Sequence, residues 1–228
     1  MVIDERMDVV VVLDLDDTLY AEYDYQTSGI RAVGKAITEL YGQDIAEQIL
    51  AWRDEGERDL WGRACLLLDL PVSVKKSLLW IYRLHDPEIT LDEATVDALS
   101  QISSIVKKVV ILTDGRSVSQ RKKLHALGLG DMRAYISEEY QSEKPDTLRF
   151  KAIMHDFPAF QFLYVGDNPK KDFIAPNALG WKTVGLRGCL NNIHVQTTDG
   201  LHSSFLPDIW INYLSEMVEL LQHKSGLC

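Results

Sequence analysis

Three short apolar runs punctuate the chain, and each breaks off at a polar turn. MDVVVVL (7–13) ends at Asp14, KKVVILT (107–113) at Asp114-Gly115, and FQFLYV (160–165) at Gly166-Asp167. The runs are rich in Val, Ile and aromatics and alternate little, as strands buried on both faces of a parallel sheet do. KTVGL (182–186) and DIWI (208–211) read as two further strands. Helical patterns follow the second and third runs. Ser117 is placed to cap SVSQRKKLHALGLG, with Leu124 and Leu127 apolar and Gly128 as its stop. Lys171 to Leu179 stops at Gly180, and Pro176 inside it predicts a kink or a restart. YLSEMVELL (213–221) reads as a closing amphipathic helix. This alternation predicts an α/β fold, a doubly wound, mostly parallel sheet.

The stretch from Ala21 to Glu88 carries no strand signal. Ile30, Val33, Ile37 and Leu40 recur at helical spacing, as do Ile45, Ile49 and Trp52. LWGRACLLLDL, ended by Pro71, and SVKKSLLWIYRLH, with Ser73 as its cap, complete four helices. Trp52, Trp61 and Trp80 are expected in the core of this bundle. TLDE (90–93) then reads as a capping box opening the helix before the second strand. The expected organisation is an α/β core from 1–20 and 89–228, with a four-helix insert over 21–88.

The 228 residues are 46% hydrophobic and 25% charged, enough for one large domain or a domain with a smaller insert. A net charge of −10 argues against nucleic acid or an anionic membrane as partner. An anionic substrate would therefore need a local cation. No apolar run approaches the roughly 18 residues of a membrane span. MVIDERMD is acidic where a signal peptide is basic and apolar, so the expected setting is cytoplasmic. Cys65, Cys189 and Cys228 are odd in number and far apart, which fits neither a disulfide framework nor a zinc site.

Asp14, Asp16 and Asp17 crowd three carboxylates into four positions at the end of a strand built for burial. Like charges repel, and desolvating them is costly. The offsets of Gly and the distal Glu exclude an EF-hand loop. In open α/β sheets ligands sit beyond the carboxyl ends of the strands. There, Asp14, Asp16, Asp167 and Asp172 supply hard oxygen ligands suited to Mg²⁺. Thr113, the backbone around Gly115, and Lys144 supply donors or a cation suited to phosphate. A divalent cation among the carboxylates would make the cluster tolerable. Asp17 is placed to brace its turn, Arg116 to touch substrate or solvent, and His85 to serve structure.

Taken in order, these motifs resemble those of the haloacid dehalogenase-like hydrolase superfamily across essentially the whole chain. LDLDDTLY matches its D-x-D-x-T motif with Asp14, Asp16 and Thr18. VVILTDG matches the second with Thr113, SEKPDTLRF the third with Lys144, and VGDNPKKD the fourth with Asp167 and Asp172. YRLHDPEITL (82–91) resembles members whose helical cap is inserted after the first motif. The resemblance implies a Rossmann-like core with an inserted cap, and phosphoryl transfer through an aspartyl-phosphate on Asp14. Asp16 would serve as acid and then base. Mg²⁺ would be held by Asp14, Asp167 and the backbone carbonyl of Asp16, with Asp172 holding a metal-bound water or contacting the metal directly. Thr113 and Lys144 would grip the phosphoryl group, with Asp114 and Gly115 beside them as substrate-binding candidates. Dehalogenating members lack a carboxylate two places after the nucleophile. Asp16 therefore favours a Mg²⁺-dependent phosphatase acting on a small phosphorylated metabolite. A phosphomutase, or a non-catalytic binding protein keeping the fold, are the alternatives. Phosphonate-cleaving members use a cap lysine, and Lys35, Lys75 and Lys76 lie in the insert without a distinguishing context. GLRGCLNNIH (185–194) hints at a sugar phosphate. Monomer and homodimer both remain open.

Overall fold

A computed structural model describes residues 6–188 and 196–222. The second half of the sugar-phosphate hint, Cys189 and Cys228 lie outside them. Six parallel strands form one sheet: β1 (Met7–Leu13), β2 (Val106–Thr113), β3 (Ala134–Ile136), β4 (Gln161–Gly166), β5 (Lys182–Leu186) and β6 (Ile209–Ile211). Their order is β3-β2-β1-β4-β5-β6. The winding reverses between β1 and β4, and the crevice beyond those two strand ends is where such sheets bind ligands.

β1 is flanked on both sides, with Leu13 opposite Ile111 of β2 and Val165 of β4. Its side chains alternate between two buried layers. Val9, Val11 and Leu13 face α5 (Glu93–Ile105), α6 (Ser117–Ala126) and α10 (Glu216–Gln222). Val10 and Val12 join Phe150 and Ile153 of α8 (Leu148–Asp156) and Ala175 of α9 (Ile174–Ala178) on the other face. β3, three residues long, was too short to register as a pattern.

Between β1 and α5 the chain forms α1 (Glu22–Tyr41), α2 (Ala46–Asp54), α3 (Leu60–Leu67) and α4 (Val74–Leu84). They enclose a core of their own, with Ile30, Val33 and Ile37 packed among Ile49, Trp52, Cys65 and Leu78. α1 ends at Gly42, whose left-handed backbone (φ 70°) lets its N–H reach Thr38 O at 2.9 Å. Leu40 is 68% exposed and Trp80 56% exposed, so neither joins the core expected of them.

Helix starts differ from the pattern in four places. Asp92 rather than Thr90 caps α5, accepting from Thr95 N at 2.6 Å. Ser73 precedes α4 without a side-chain cap. Ser117 turns its hydroxyl to Glu139, while Glu138 accepts from its amide. A carboxylate borrowed from α7 (Ser137–Tyr140) thus does the work expected of Ser117. α9 begins at Ile174, not Lys171, because turns centred on Asn168 occupy 168–172. Pro176 is its third residue, where a missing N–H costs no helical bond.

Gly34 brings α1 against α2: a Cβ there would lie 2.5 Å from Ala46 Cβ and 3.0 Å from its Cα. Gly34→Ala gains about 1 kcal/mol of helix propensity. Overpacking against backbone costs about 1–3 kcal/mol and should win. The variant should therefore unfold at lower urea than the parent. A raised midpoint would show that α2 yields freely.

Candidate active site

Asp14 follows β1 directly. Its amide extends the sheet to Val165 O at 2.9 Å, and its Oδ1 accepts from Leu15 N at 2.9 Å. Thr113 ends β2 and Asp167 follows β4. Asp172 is anchored in the turn after β4, its Oδ2 accepting from Asn168 N at 2.7 Å. Lys144 lies between them. Its Nζ is 2.7 Å from Asp14 Oδ2, 2.7 Å from Asp172 Oδ1, and donates to Tyr164 Oη at 3.1 Å.

Carboxylate oxygens of Asp14, Asp167 and Asp172 lie within 4.8 Å of one another, all buried. Lys144 bonds two of the three. Among the described residues, Asp167 Oδ2 is buried with no partner, and so is the Thr113 hydroxyl. The acids show the strain. Burial, with Asp172 and Asp14 nearby, pushes Asp167 up to about 9. Burial lifts Asp14 to about 6 against the pull of Lys144. Burial alone would lower Lys144, but Asp14 and Asp172 override it and hold the ammonium well above the lysine range. The unpartnered oxygen and the oxygen-only donor set fit a hard divalent cation.

Asp16 stands apart, its carboxylate outside the acidic cluster. Oδ1 takes Tyr20 Oη at 2.5 Å and Lys123 Nζ at 2.7 Å, and Oδ2 takes Gln120 Nε2 at 3.0 Å. Burial would raise its pKa, yet Lys123 and these donors hold it below the ordinary aspartate range. Four carboxylates were expected to converge, and three do. Asp17 occupies the left-handed region (φ 55°), which Asp tolerates, and accepts from Glu22 N at 2.9 Å. It thereby caps α1, where Ala21 cannot. Glu22 is pushed up to about 7 by burial and then by Asp16.

Asp114 and Gly115 brace the site. Arg149, fully buried, pairs with the Asp114 carboxylate and donates to Thr113 O at 2.8 Å. Asp114 also accepts from Lys144 N at 3.2 Å, so one side chain ties the second motif to the third. The Gly115 amide, expected as a phosphate donor, is taken by Ser137 Oγ at 2.9 Å. With φ of 144°, Gly115 leaves the space its Cβ would occupy to the Gln120 amide. Arg116 pairs with Glu138 on the surface. His85 links Tyr82 O at 2.6 Å to Ser28 Oγ at 3.1 Å, a structural clasp between the end of α4 and α1. Lys75 pairs with Asp59.

Tyr20, Gln120, Lys123, Arg149 and Tyr164 were not singled out from sequence. A signal existed for two of them. Gln120, Lys123 and Leu127 fall at i, i+3 and i+7, so polar side chains occupy the stripe of α6 that should be apolar.

The family of haloacid dehalogenase-like hydrolases is matched over residues 9–180, a span holding every side chain of this site. The chain belongs to that family. Glyceraldehyde 3-phosphate phosphatase of Methanocaldococcus jannaschii is 24% identical over 229 positions, 93% of this chain and 96% of the relative. The haloacid dehalogenase-like hydrolase YfnB of Bacillus subtilis, solved with magnesium bound, superposes with a TM-score of 0.64 at 19% identity, covering 95% of this chain and 99% of that one. A 2-haloacid dehalogenase of Pseudomonas syringae pv. Tomato gives 0.62 at 18% identity, with coverage of 95% and 99%. Among the described residues no helix is long and apolar enough to cross a membrane.

In the cation-free protein, Asp167 and Asp14 retain protons in the folded state that the unfolded chain releases above 3.8. Their contribution to stability is present below that value and lost as pH rises through about 6 and about 9. The melting temperature in chelator should fall across this window, and Asp167→Asn should flatten the alkaline part. A melting temperature that rises over the same range would contradict the burial assigned to this cluster.

Proposed function

We propose that this family member is a Mg²⁺-dependent phosphatase acting on a small phosphate monoester through a covalent aspartyl-phosphate on Asp14. The observation that carries the reading is the cluster itself. Asp14 lies against Lys144 at 2.7 Å, with Asp167 and Asp172 close by and an unpartnered Thr113 hydroxyl at the adjacent strand end. This set can hold a cation and a phosphoryl group together. The presence of Asp16 favours an alkoxide leaving group, which needs a proton, over a halide, which does not. The phosphatase relative supports the same choice.

Asp14, Asp167 and Asp172 would hold Mg²⁺ together with the backbone carbonyl of Asp16. When bound, the cation would neutralise charge on the phosphoryl oxygens. Asp14 attacks phosphorus in line, its O–P bond forming as the bond to the leaving oxygen breaks. The incoming phosphate, doubly negative, raises the proton affinity of Asp16 beside it. Asp16 takes a proton from solvent or from the monoester and delivers it to the leaving oxygen. In the second half it removes a proton from water, the water oxygen attacks phosphorus, and the bond to Asp14 breaks. Lys144 and Thr113 hold the phosphoryl oxygens through both halves. The four-helix insert acts as a cap that excludes water and meets the leaving group.

A panel with Mg²⁺ should include glyceraldehyde 3-phosphate, p-nitrophenyl phosphate and 2-chloropropionate. The two phosphates should be hydrolysed, excess chelator should abolish turnover, and the haloacid should be untouched. Halide release without phosphate release would overturn the reading. Asp14→Asn keeps size but removes the attacking anion, so turnover should drop to background in a folded protein.

Asp16→Asn separates the two halves of the reaction. It removes a proton transfer worth about 10²–10⁴ in rate. p-Nitrophenolate leaves without a proton, so the variant should release a burst of nitrophenol and then turn over slowly. Wild-type rates on an alkyl phosphate would show that Asp16 has another task.

A further inference from the structure

The catalytic scheme leaves Lys123 without a task, yet its side chain is only 4% exposed, as is fitting for a core residue rather than a lysine. Burying an ion pair is costly unless geometry and further hydrogen bonds offset it. Here they do. Lys123 pairs with Asp16 at 2.7 Å and its ammonium sits 4.0 Å from the centre of the Tyr25 ring. Lys123 belongs to α6 of the sheet body, whereas Tyr25 belongs to α1 of the insert. One ammonium therefore touches the catalytic loop, the body and the insert.

The geometry around Asp16 is over-determined. Gln120, nearly one turn before Lys123, donates to Oδ2 at 3.0 Å and is itself fixed by Asp114 O at 2.7 Å. Tyr20 takes Oδ1 with Lys123. A carboxylate offers about four lone-pair sites, so among the described residues these donors leave one open, on Oδ2. Asp16 is two residues from Asp14, close to a cluster that attracts a divalent cation. A side chain free to rotate there would be drawn in as a further ligand and lost to proton transfer.

We propose that Lys123 is the positioning residue for Asp16: it holds the carboxylate clear of the Asp14–Asp167–Asp172 cluster with one acceptor site open, and its seat on Tyr25 ties that orientation to the insert. The kinetic arm of the test rests on the phosphatase reading, whereas the structural arm does not.

Wild type, Lys123→Met and Lys123→Arg are compared on glyceraldehyde 3-phosphate and on p-nitrophenyl phosphate, alone and in an Asp16→Asn background. Lys123→Met should lower kcat on the alkyl phosphate about 10²-fold. KM should move less than about 3-fold, because the lost interaction is with Asp16 and not with substrate. The nitrophenol burst should be spared, Lys123→Arg should recover most of the loss, and Lys123→Met should cost nothing more once Asp16 is Asn. Equal losses in both backgrounds, or a loss confined to KM, would overturn the assignment. If Lys123→Met fails to fold, Lys123→Gln, which keeps a polar side chain and loses the charge, carries the same comparison. If the wild type hydrolyses no phosphate ester, the phosphatase reading falls, and crystal structures of wild type and Lys123→Met still decide. An Asp16 side chain that leaves Gln120 in the variant supports the positioning role, and one that stays in place overturns it.

Discussion

The ammonium of Lys144 is the one charge on which the site depends. Three buried carboxylates converge where β1 and β4 part, and burial, with the charges of Asp172 and Asp14 added to it, pushes Asp167 up to about 9. Lys144 bonds two of the three at 2.7 Å, and one oxygen of the third, Asp167 Oδ2, has no partner among the described residues. One positive charge against three potential negative ones leaves the cluster short of neutrality, and a divalent cation would complete it. Removing Lys144 would leave buried charges uncompensated, the costly direction for a buried pair.

Everything around this charge serves to hold it in place. The order β3-β2-β1-β4-β5-β6 sets the ends of β2, β1 and β4 side by side, so residues more than 150 positions apart meet. The two buried layers beneath make β1 rigid, and Asp14 is hydrogen-bonded into β4 before its side chain begins. Arg149 and Asp114 lock the second motif to the third, fixing the backbone from which Lys144 projects. On the far side, Lys123, Gln120 and Tyr20 separate Asp16 from its acidic neighbours, so that carboxylates two residues apart have opposite pKa shifts.

Much of this was legible in sequence because it rests on short-range patterns. Unbroken Val and Ile runs marked the buried strands, and each ended at the residues that form the site. β3 escaped because three residues carry no period, and α9 was overextended because the turn around Asn168 is set by Asp172 rather than by local propensity. Ser117 and Ser73 resembled caps, but Glu138 reaches Ser117 N from a separate element, a tertiary contact no window reveals. Lys123 and Arg149 were not singled out from sequence. Their burial follows from partners on distant segments, Asp16 and Asp114. The carboxylates could be named from sequence, but the side on which Asp16 faces could not, since that depends on α6.

The central claim is that Asp14 carries the phosphoryl group between the two halves of the reaction. It is tested most directly by mixing the Mg²⁺-loaded protein with p-nitrophenyl phosphate, quenching in acid within the first turnover, and mapping phosphorylated peptides by mass spectrometry. The account requires a phosphoryl group on the peptide containing Asp14, absent from Asp14→Asn and enriched in Asp16→Asn. Turnover with no adduct in any of the three proteins, or an adduct on another residue, would contradict it.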